Sequence, residues 1–219
     1  MTFMEEIIAH SMPLWEEAAE EEFLKRMGTD TLDKQRFLDY IIQDSIYLRD
    51  YVKAFAMGIF KSQTLRDMQV FYSVLGFVNA SENATRLQYL ADFGLTDDDV
   101  ERMEKKPACR DYTEFLLETA EKEEIPEILM AVMPCMLGYY YVFRELLKRC
   151  PQVMEGYYAP LVADYTSDYY KGCCDAWTAY CNEVCEPLSG ARQERLIALF
   201  RTASEHELYF WEMAGNEHD

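Results

Sequence analysis

The sequence predicts an all-α protein, a bundle of amphipathic helices packed around one apolar helix. Apolar residues recur at helical spacing along the chain, between short stretches of Gly, Pro, Ser, Thr and Asp. No segment alternates apolar and polar residues with period two over a useful length, and no Gly-rich loop follows a strand-like run. Residues 128 to 143 carry no charge, whereas the other helical segments carry acids and bases every few positions. A helix that is apolar nearly all round belongs at the centre of a bundle or in a membrane. This run is short for a membrane span and contains Pro134, Gly138, Tyr139, Tyr140 and Tyr141, which favours the bundle centre.

A first helix covers residues 2 to 27 and ends at Gly28, with a break near Pro13 where Ser11 can cap a new turn. Residues 33 to 61 set Phe37, Tyr40, Ile41, Tyr47, Leu48, Tyr51 and Phe55 at helical spacing. A third helix spans 65 to 93 and stops at Gly94. Thr96 followed by Asp97, Asp98 and Asp99 is an N-cap with acids in the first turn, so a short helix starts there and ends before Pro107. Residues 109 to 122 form the next helix. Pro126 sits where a first-turn proline is tolerated and opens the central helix, which Cys150-Pro151 closes. Residues 154 to 186 read as one long tyrosine-rich helix between Pro160 and Pro187, and Ser189 caps a last helix from 190 to 214. With no internal repeat, low-complexity linker or shift in composition, residues 1–219 read as a single domain.

The composition excludes several function classes. A chain of 219 residues, 50% hydrophobic and 14% aromatic, can bury a sizeable core as one domain, or as one domain per subunit of an oligomer. Its formal net charge of -19 repels nucleic acid phosphates and anionic lipid, so no nucleic acid and no membrane partner is expected. The start, Met-Thr-Phe-Met-Glu-Glu, has neither a basic flank nor an apolar signal core, which points to a cytoplasmic protein. The seven cysteines, at 109, 135, 150, 173, 174, 181 and 185, are then mostly free thiols. Cys181 and Cys185 share a helical face with Cys174 seven residues before Cys181. Without a Cys-x-x-Cys pair or suitably spaced histidines, they read as small buried thiols, and no metal is expected.

Three constellations stand out. Cys135 and Tyr139 lie four apart on one face of the central helix, and Pro134 removes a backbone hydrogen bond where that face begins. A thiol, a phenol and a kink can line a pocket or be ordinary core. Asp44, Tyr47 and Tyr51 fall at i, i+3 and i+7, an acid with two phenols among apolar neighbours; such an acid is either paired in the core or held ready for a ligand. Glu207 is in register with Phe210, Trp211 and Ala214 on the inward side of the last helix, whereas Glu205 and Glu212 fall elsewhere. A glutamate there has a raised pKa and can donate a proton near neutral pH.

Four motifs in order resemble the TenA family, the thiaminase II or aminopyrimidine aminohydrolase proteins. They are Gln43-Asp44-Ser45-x-Tyr47-Leu48, Pro134-Cys135-x-x-x-Tyr139, Asp164-Tyr165-Thr166-Ser167-Asp168-Tyr169-Tyr170 and Glu207-x-x-Phe210-Trp211-x-Met213-Ala214. The resemblance spans almost the whole chain and implies a haem-oxygenase-like helical bundle that assembles as a homotetramer. It also implies hydrolysis of 4-amino-5-aminomethyl-2-methylpyrimidine to the hydroxymethyl compound and ammonia in thiamin salvage, with thiamin cleavage in many members. By position, Cys135 is the nucleophile and Glu207 the proton donor to a ring nitrogen. Asp44 holds the amino group and nitrogen edge of the ring. Tyr47, Tyr139 and Tyr165 place the ring and the thiol, and Tyr112 supplies a further stacking face. The family chemistry needs no cofactor.

The chain departs from the family pattern at several positions. Glu21-Glu22 precedes Phe23 where members often have His-Pro, Tyr141 replaces a frequent glutamate, and Arg86 replaces a frequent histidine, although Glu82 is retained. As residues that flank or support the pocket, they bear on the choice of substrate. Rival readings on the same bundle are a non-catalytic pyrimidine or thiamin binder and a haem or redox enzyme with His10 as axial ligand. A di-iron carboxylate site would need Glu-x-x-His pairs; here Ile7, Ala203 and Gly215 stand three residues before the histidines.

Overall fold

The structure is a computed structural model that describes residues 1–79 and 81–216, with only the backbone described for residues 74, 76–79, 81 and 82. The side chain of Glu82 and the whole of His218 therefore lie outside the described residues. Among the described residues there are eleven α-helices and no strand: α1 Phe3–Ala18, α2 Glu22–Gly28, α3 Lys34–Lys61, α4 Leu65–Asn79, α5 Ser81–Asp92, α6 Asp97–Val100, α7 Pro107–Lys122, α8 Ile125–Arg149, α9 Ala159–Thr166, α10 Asp168–Cys185 and α11 Gly190–Gly215. A 3-10 turn, Pro151–Glu155, follows α8.

The apolar run forms α8, the axis of the bundle. It packs against α3, α7, α9, α10 and α11, while α1 lies on α11 and α3 bridges α4 and α7. By length and composition α8 could cross a membrane, yet 78% of its most apolar window is buried by these neighbours. The capping chemistry holds where the local signal was strong. Thr96 and Asp99 form a reciprocal capping box on α6, and the Asp33 carboxylate accepts from the Gln35 and Arg36 amides to start α3.

Two boundaries differ from the sequence reading. The first segment runs unbroken through Pro13, because the carbonyl that a proline frees lies four residues back, on exposed Ala9, where water can satisfy it. It breaks instead after Ala18, and α2 restarts from extended Glu21. The stretch 65–93 is helical on both sides of residue 80, as α4 and α5, and residue 80 itself lies outside the described residues. The stretch 154–186 is two helices, because Ser167 adopts extended backbone and its hydroxyl both donates to Asp164 O at 2.9 Å and accepts from the Tyr170 amide at 3.1 Å. One side chain thus ends α9 and caps α10.

Candidate active site

From Pro126 to Tyr139 every residue of α8 is buried except Cys135, which is half-buried. The thiol is therefore the point at which this stretch of the central helix opens. The backbone beside it is held from two sides: Tyr51 of α3 donates to Val132 O at 3.2 Å, and Tyr170 of α10 donates to Met136 O at 3.0 Å.

Across from Cys135, α11 presents Glu207, which is 4% exposed. Its carboxyl receives a hydrogen bond from the Cys135 thiol and, at 2.7 Å, from the Tyr112 hydroxyl of α7. Burial pushes Glu207 up to about 7, against the pull of these two donors. A group poised there can both give and take a proton near neutral pH.

Asp44 and Tyr47 come from α3, one turn apart. Asp44 is buried and pushed up to about 7 by burial; the Arg86 charge opposes that rise, the Glu207 charge adds to it, and the Tyr139 hydroxyl, at a long 3.5 Å, lowers it again. The Tyr139 hydroxyl in turn accepts from Tyr40 at 3.2 Å. Tyr47 lies beside the ring of Tyr112, centroids 4.9 Å apart, and its buried hydroxyl has no hydrogen bond of ordinary geometry. Leaving such a hydroxyl unsatisfied costs about 1–3 kcal/mol, which marks a position where a ligand acceptor would be favoured. Burial raises Tyr47, Tyr112 and Tyr139 well above their ordinary value, so all three stay protonated at neutral pH.

The other wall is aromatic. Tyr139 contacts Tyr165 and Trp211, each at 4.9 Å between centroids, and Tyr165 stacks on Phe143 at 8°. Cys135, Glu207, Tyr112 and Tyr47 thus form one half of a cluster, and Asp44 with Tyr139 the other, with Tyr165 joining through the ring of Tyr139. The cluster thus sets a thiol beside a carboxyl able to exchange a proton near neutral pH, among aromatic faces and buried hydroxyls. A groove of about 750 Å³ between α4 and α10 is separate from this cluster: Met136, Cys173, Trp177 and Tyr180 reach its wall, and none of Cys135, Glu207 or Asp44 does.

Sequence reasoning passed over two neighbours of the cluster, Tyr40 and His206, and named Trp211 as inward without its partners. Tyr40 was read as apolar spacing alone, although a tyrosine one turn before Asp44 carries a hydroxyl that must find a partner once buried. His206 stacks on Tyr112, centroids 5.2 Å apart and planes 5° apart, and burial lowers its pKa. Trp211 stacks on Tyr40 as well as contacting Tyr139. The departures from the family pattern are spread out. Arg86 reaches Asp44 by its charge, whereas Tyr141 packs on Trp15 of α1 and Glu22 pairs with Arg26 on the surface. Glu21, with its pKa raised chiefly by burial, neighbours Glu212. His10, which an axial-ligand reading requires, is exposed on α1. The described residues hold no group of three or more His, Cys, Asp or Glu side chains placed to bind a metal.

The structure is thus an all-α bundle with a half-open thiol hydrogen-bonded to a buried carboxyl among tyrosines. The chain belongs to the TENA/THI-4/PQQC family, whose sequence model matches residues 9–217. It is 28% identical over 218 residues to the aminopyrimidine aminohydrolase of Halalkalibacterium halodurans, covering 99% of this chain and 97% of that one. It is 26% identical over 206 residues to the aminopyrimidine aminohydrolase of Helicobacter pylori, covering 94% of each. Among solved structures, a TenA family transcription regulator from Silicibacter sp. TM1040 superposes with a TM-score of 0.87 at 24% identity, over 97% of this chain and 96% of that one. A TenA homologue from Pyrococcus furiosus gives 0.87 at 18% identity, over 97% and 99%. These structural likenesses speak to the fold, which is the helical bundle expected.

Proposed function

We propose that this protein hydrolyses the exocyclic C–N bond of a thiamin-derived aminopyrimidine, converting 4-amino-5-aminomethyl-2-methylpyrimidine and water to the hydroxymethyl compound and ammonia. The observation that carries the reading is the Cys135–Glu207 hydrogen bond at the opening of α8, with the Glu207 carboxyl poised near neutrality. The aminomethyl group is a poor leaving group while the ring stays aromatic. Glu207 takes the Cys135 thiol proton as sulfur forms a bond to the ring carbon next to the substituted one, and passes that proton to the adjoining ring nitrogen, which takes up the displaced electron pair. The ring is then a dearomatised enamine, and its electrons expel the protonated amine as ammonia to leave an exocyclic methylene. Water adds at that methylene and releases one proton to solvent, the C–S bond breaks as aromaticity returns, and Glu207 takes the ring proton and returns it to the sulfur.

Asp44 holds the amino group and nitrogen edge of the ring in this scheme. Tyr47, Tyr112, Tyr139 and Tyr165 supply the stacking faces and hydroxyls, and the chemistry calls on no cofactor. With it go a single domain over residues 1–219, a cytoplasmic setting and a homotetramer. The relatives named aminopyrimidine aminohydrolase support the reading at the level of the reaction class.

The test is product analysis by mass spectrometry after incubating wild type and Cys135→Ala with the aminomethylpyrimidine and, separately, with thiamin. Hydroxymethylpyrimidine and ammonia from wild type alone are expected. Equal product from both proteins would remove the nucleophile, and intact ligand recovered bound to both would replace the enzyme with a pyrimidine-binding protein.

A further inference from the structure

His206 stands one residue before Glu207 on α11 and is half-buried. Consecutive residues of a helix point about 100° apart, so His206 leaves the inward face that carries Glu207. Its ring meets α7 instead. It lies parallel to the ring of Tyr112, centroids 5.2 Å apart and planes 5° apart, and packs on Phe115 at 5.0 Å and 35°. Tyr209, one turn further along α11, meets it edge-on at 6.5 Å and 88°. Asp111 of α7 and Glu205 of α11 face the imidazole with their charges, but burial outweighs them and lowers its pKa. At pH 7 and above the ring is therefore neutral, and its hold on Tyr112 is one of contact.

Tyr112 is 1% exposed. Its hydroxyl lies at the end of the ring away from the backbone and donates to Glu207 Oε1 at 2.7 Å. A small swing of the ring is enlarged at that end, and a hydrogen bond weakens steeply as its length and angle leave the ideal. Tyr47 also touches Tyr112, tilted by 35°, whereas His206 lies flat on it. Parallel offset rings are one of the preferred aromatic arrangements. The Glu207 carboxyl is faced by the Tyr112 hydroxyl from α7 and the Cys135 thiol from α8, both of which donate to it, while Asp44 and Tyr47 of α3 and Tyr139 of α8 feel its charge. Whatever fixes Tyr112 thus fixes one of the two donors on the acid.

We propose that His206 is a positioning residue: its ring, lying flat on Tyr112, holds the Tyr112 hydroxyl on the Glu207 carboxyl. The placement of the hydroxyl does not depend on the reaction proposed above. Its effect on turnover rests on that reading, and two experiments separate them.

The first follows the carboxyl carbon of labelled glutamate by NMR in the ligand-free protein, with the Glu207 signal assigned by its loss in Glu207→Gln. His206→Ala frees Tyr112 to leave the carboxyl, so the Glu207 midpoint should rise by about half a pH unit, part of the way to that of Tyr112→Phe. His206→Phe removes the imidazole but keeps a flat ring, and should stay within about 0.2 unit of wild type. In a Tyr112→Phe background there is no hydroxyl left to place, so His206→Ala should move the midpoint no further. A midpoint that falls in His206→Ala would report water admitted to the carboxyl. One that rises equally with and without the Tyr112 hydroxyl, or equally in His206→Phe, would report a direct effect of the imidazole on Glu207. Each of these results, or an unmoved midpoint, overturns the proposal.

The second measures kcat/KM for hydroxymethylpyrimidine formation against pH. The limb that reports Glu207 should move up with the midpoint in His206→Ala, a change of about threefold in rate on that flank, and should return in His206→Phe. A uniform fall at every pH, with the limb unmoved, would make His206 a packing residue and overturn the proposal. If the Glu207 signal behaves as expected but the wild type turns nothing over, the proposed reaction fails and the hold of His206 on Tyr112 stands.

Discussion

Replacing Glu207 by glutamine isolates the energetic consequence of burying an acid beside the thiol. Burial carries its pKa from the ordinary 4.5 to about 7. A folded chain whose carboxyl has the higher pKa retains a proton that the unfolded chain releases, so the group's contribution is most favourable below the unfolded value. It declines as the pH rises towards the folded value, and above it the penalty is constant. At ~1.36 kcal/mol per pH unit, the interval is worth about 3 kcal/mol. Glutamine keeps an oxygen for the Tyr112 hydroxyl but adds an amide that must find an acceptor, at a cost of roughly 1 kcal/mol. Glu207→Gln is therefore expected to be about 2 kcal/mol more stable than wild type at pH 8 and about 1 kcal/mol less stable near pH 4.5. Loss of the Glu207 charge also relieves Asp44, which that charge pushes up, and this adds to the gain at high pH. Urea unfolding of both proteins at one concentration, from pH 4.5 to 8.5, reads the difference directly; at pH 8 it corresponds to a Tm rise of roughly 4–8 °C for a chain of this length. A stability difference that is the same at every pH would show that the carboxyl does not titrate in this window and would refute the reasoning.

Tyr112→Phe removes a donor that holds Glu207 down. The limb of the pH–rate profile that reports Glu207 should move to higher pH by about one unit, and a limb that stays in place would break the link between the two residues. Two glycines give a pair with opposite signs. A Cβ at Gly58 would lie 2.3 Å from Phe71 Cε1, so Gly58→Ala should lose about 1–3 kcal/mol in thermal unfolding. At Gly138 it would meet Trp15 Nε1 at an ordinary 3.6 Å, so Gly138→Ala inside α8 should gain roughly 0.5–1 kcal/mol. The reverse order of Tm would contradict the packing described.

What could be read in the sequence was whatever one helical period determines. The burial of residues 128–143, the cap at Thr96, the shared face of Cys135 and Tyr139 and the inward turn of Glu207 are relations within a single helix, where spacing alone decides. Ser167 shows the limit on the local side. It interrupts what reads as one helix because its hydroxyl serves two backbone groups at once, and the hydrophobic period carries no trace of that. Pro13 shows the converse, a breaker overruled because the carbonyl it frees faces water. Relations between helices were not legible from spacing: that Tyr112 donates to Glu207, that Tyr40 backs Tyr139, and that Arg86 bears on Asp44 depend on how five helices pack. Recognition of the family motifs named most of the partners in advance. It could not give the weighting among them, which comes from burial and from the charges that happen to be near.

Tyr51 and Tyr170, donating to the carbonyls of Val132 and Met136, brace the Cys135 segment from opposite sides. The consequence is an uneven tolerance to change. Side chains on the surface of the bundle can change while this braced segment stays put. Both braces end on the backbone, so a change at either tyrosine reaches the sulfur through the helix that carries it, and its effect is one of position and not of the chemistry of the thiol.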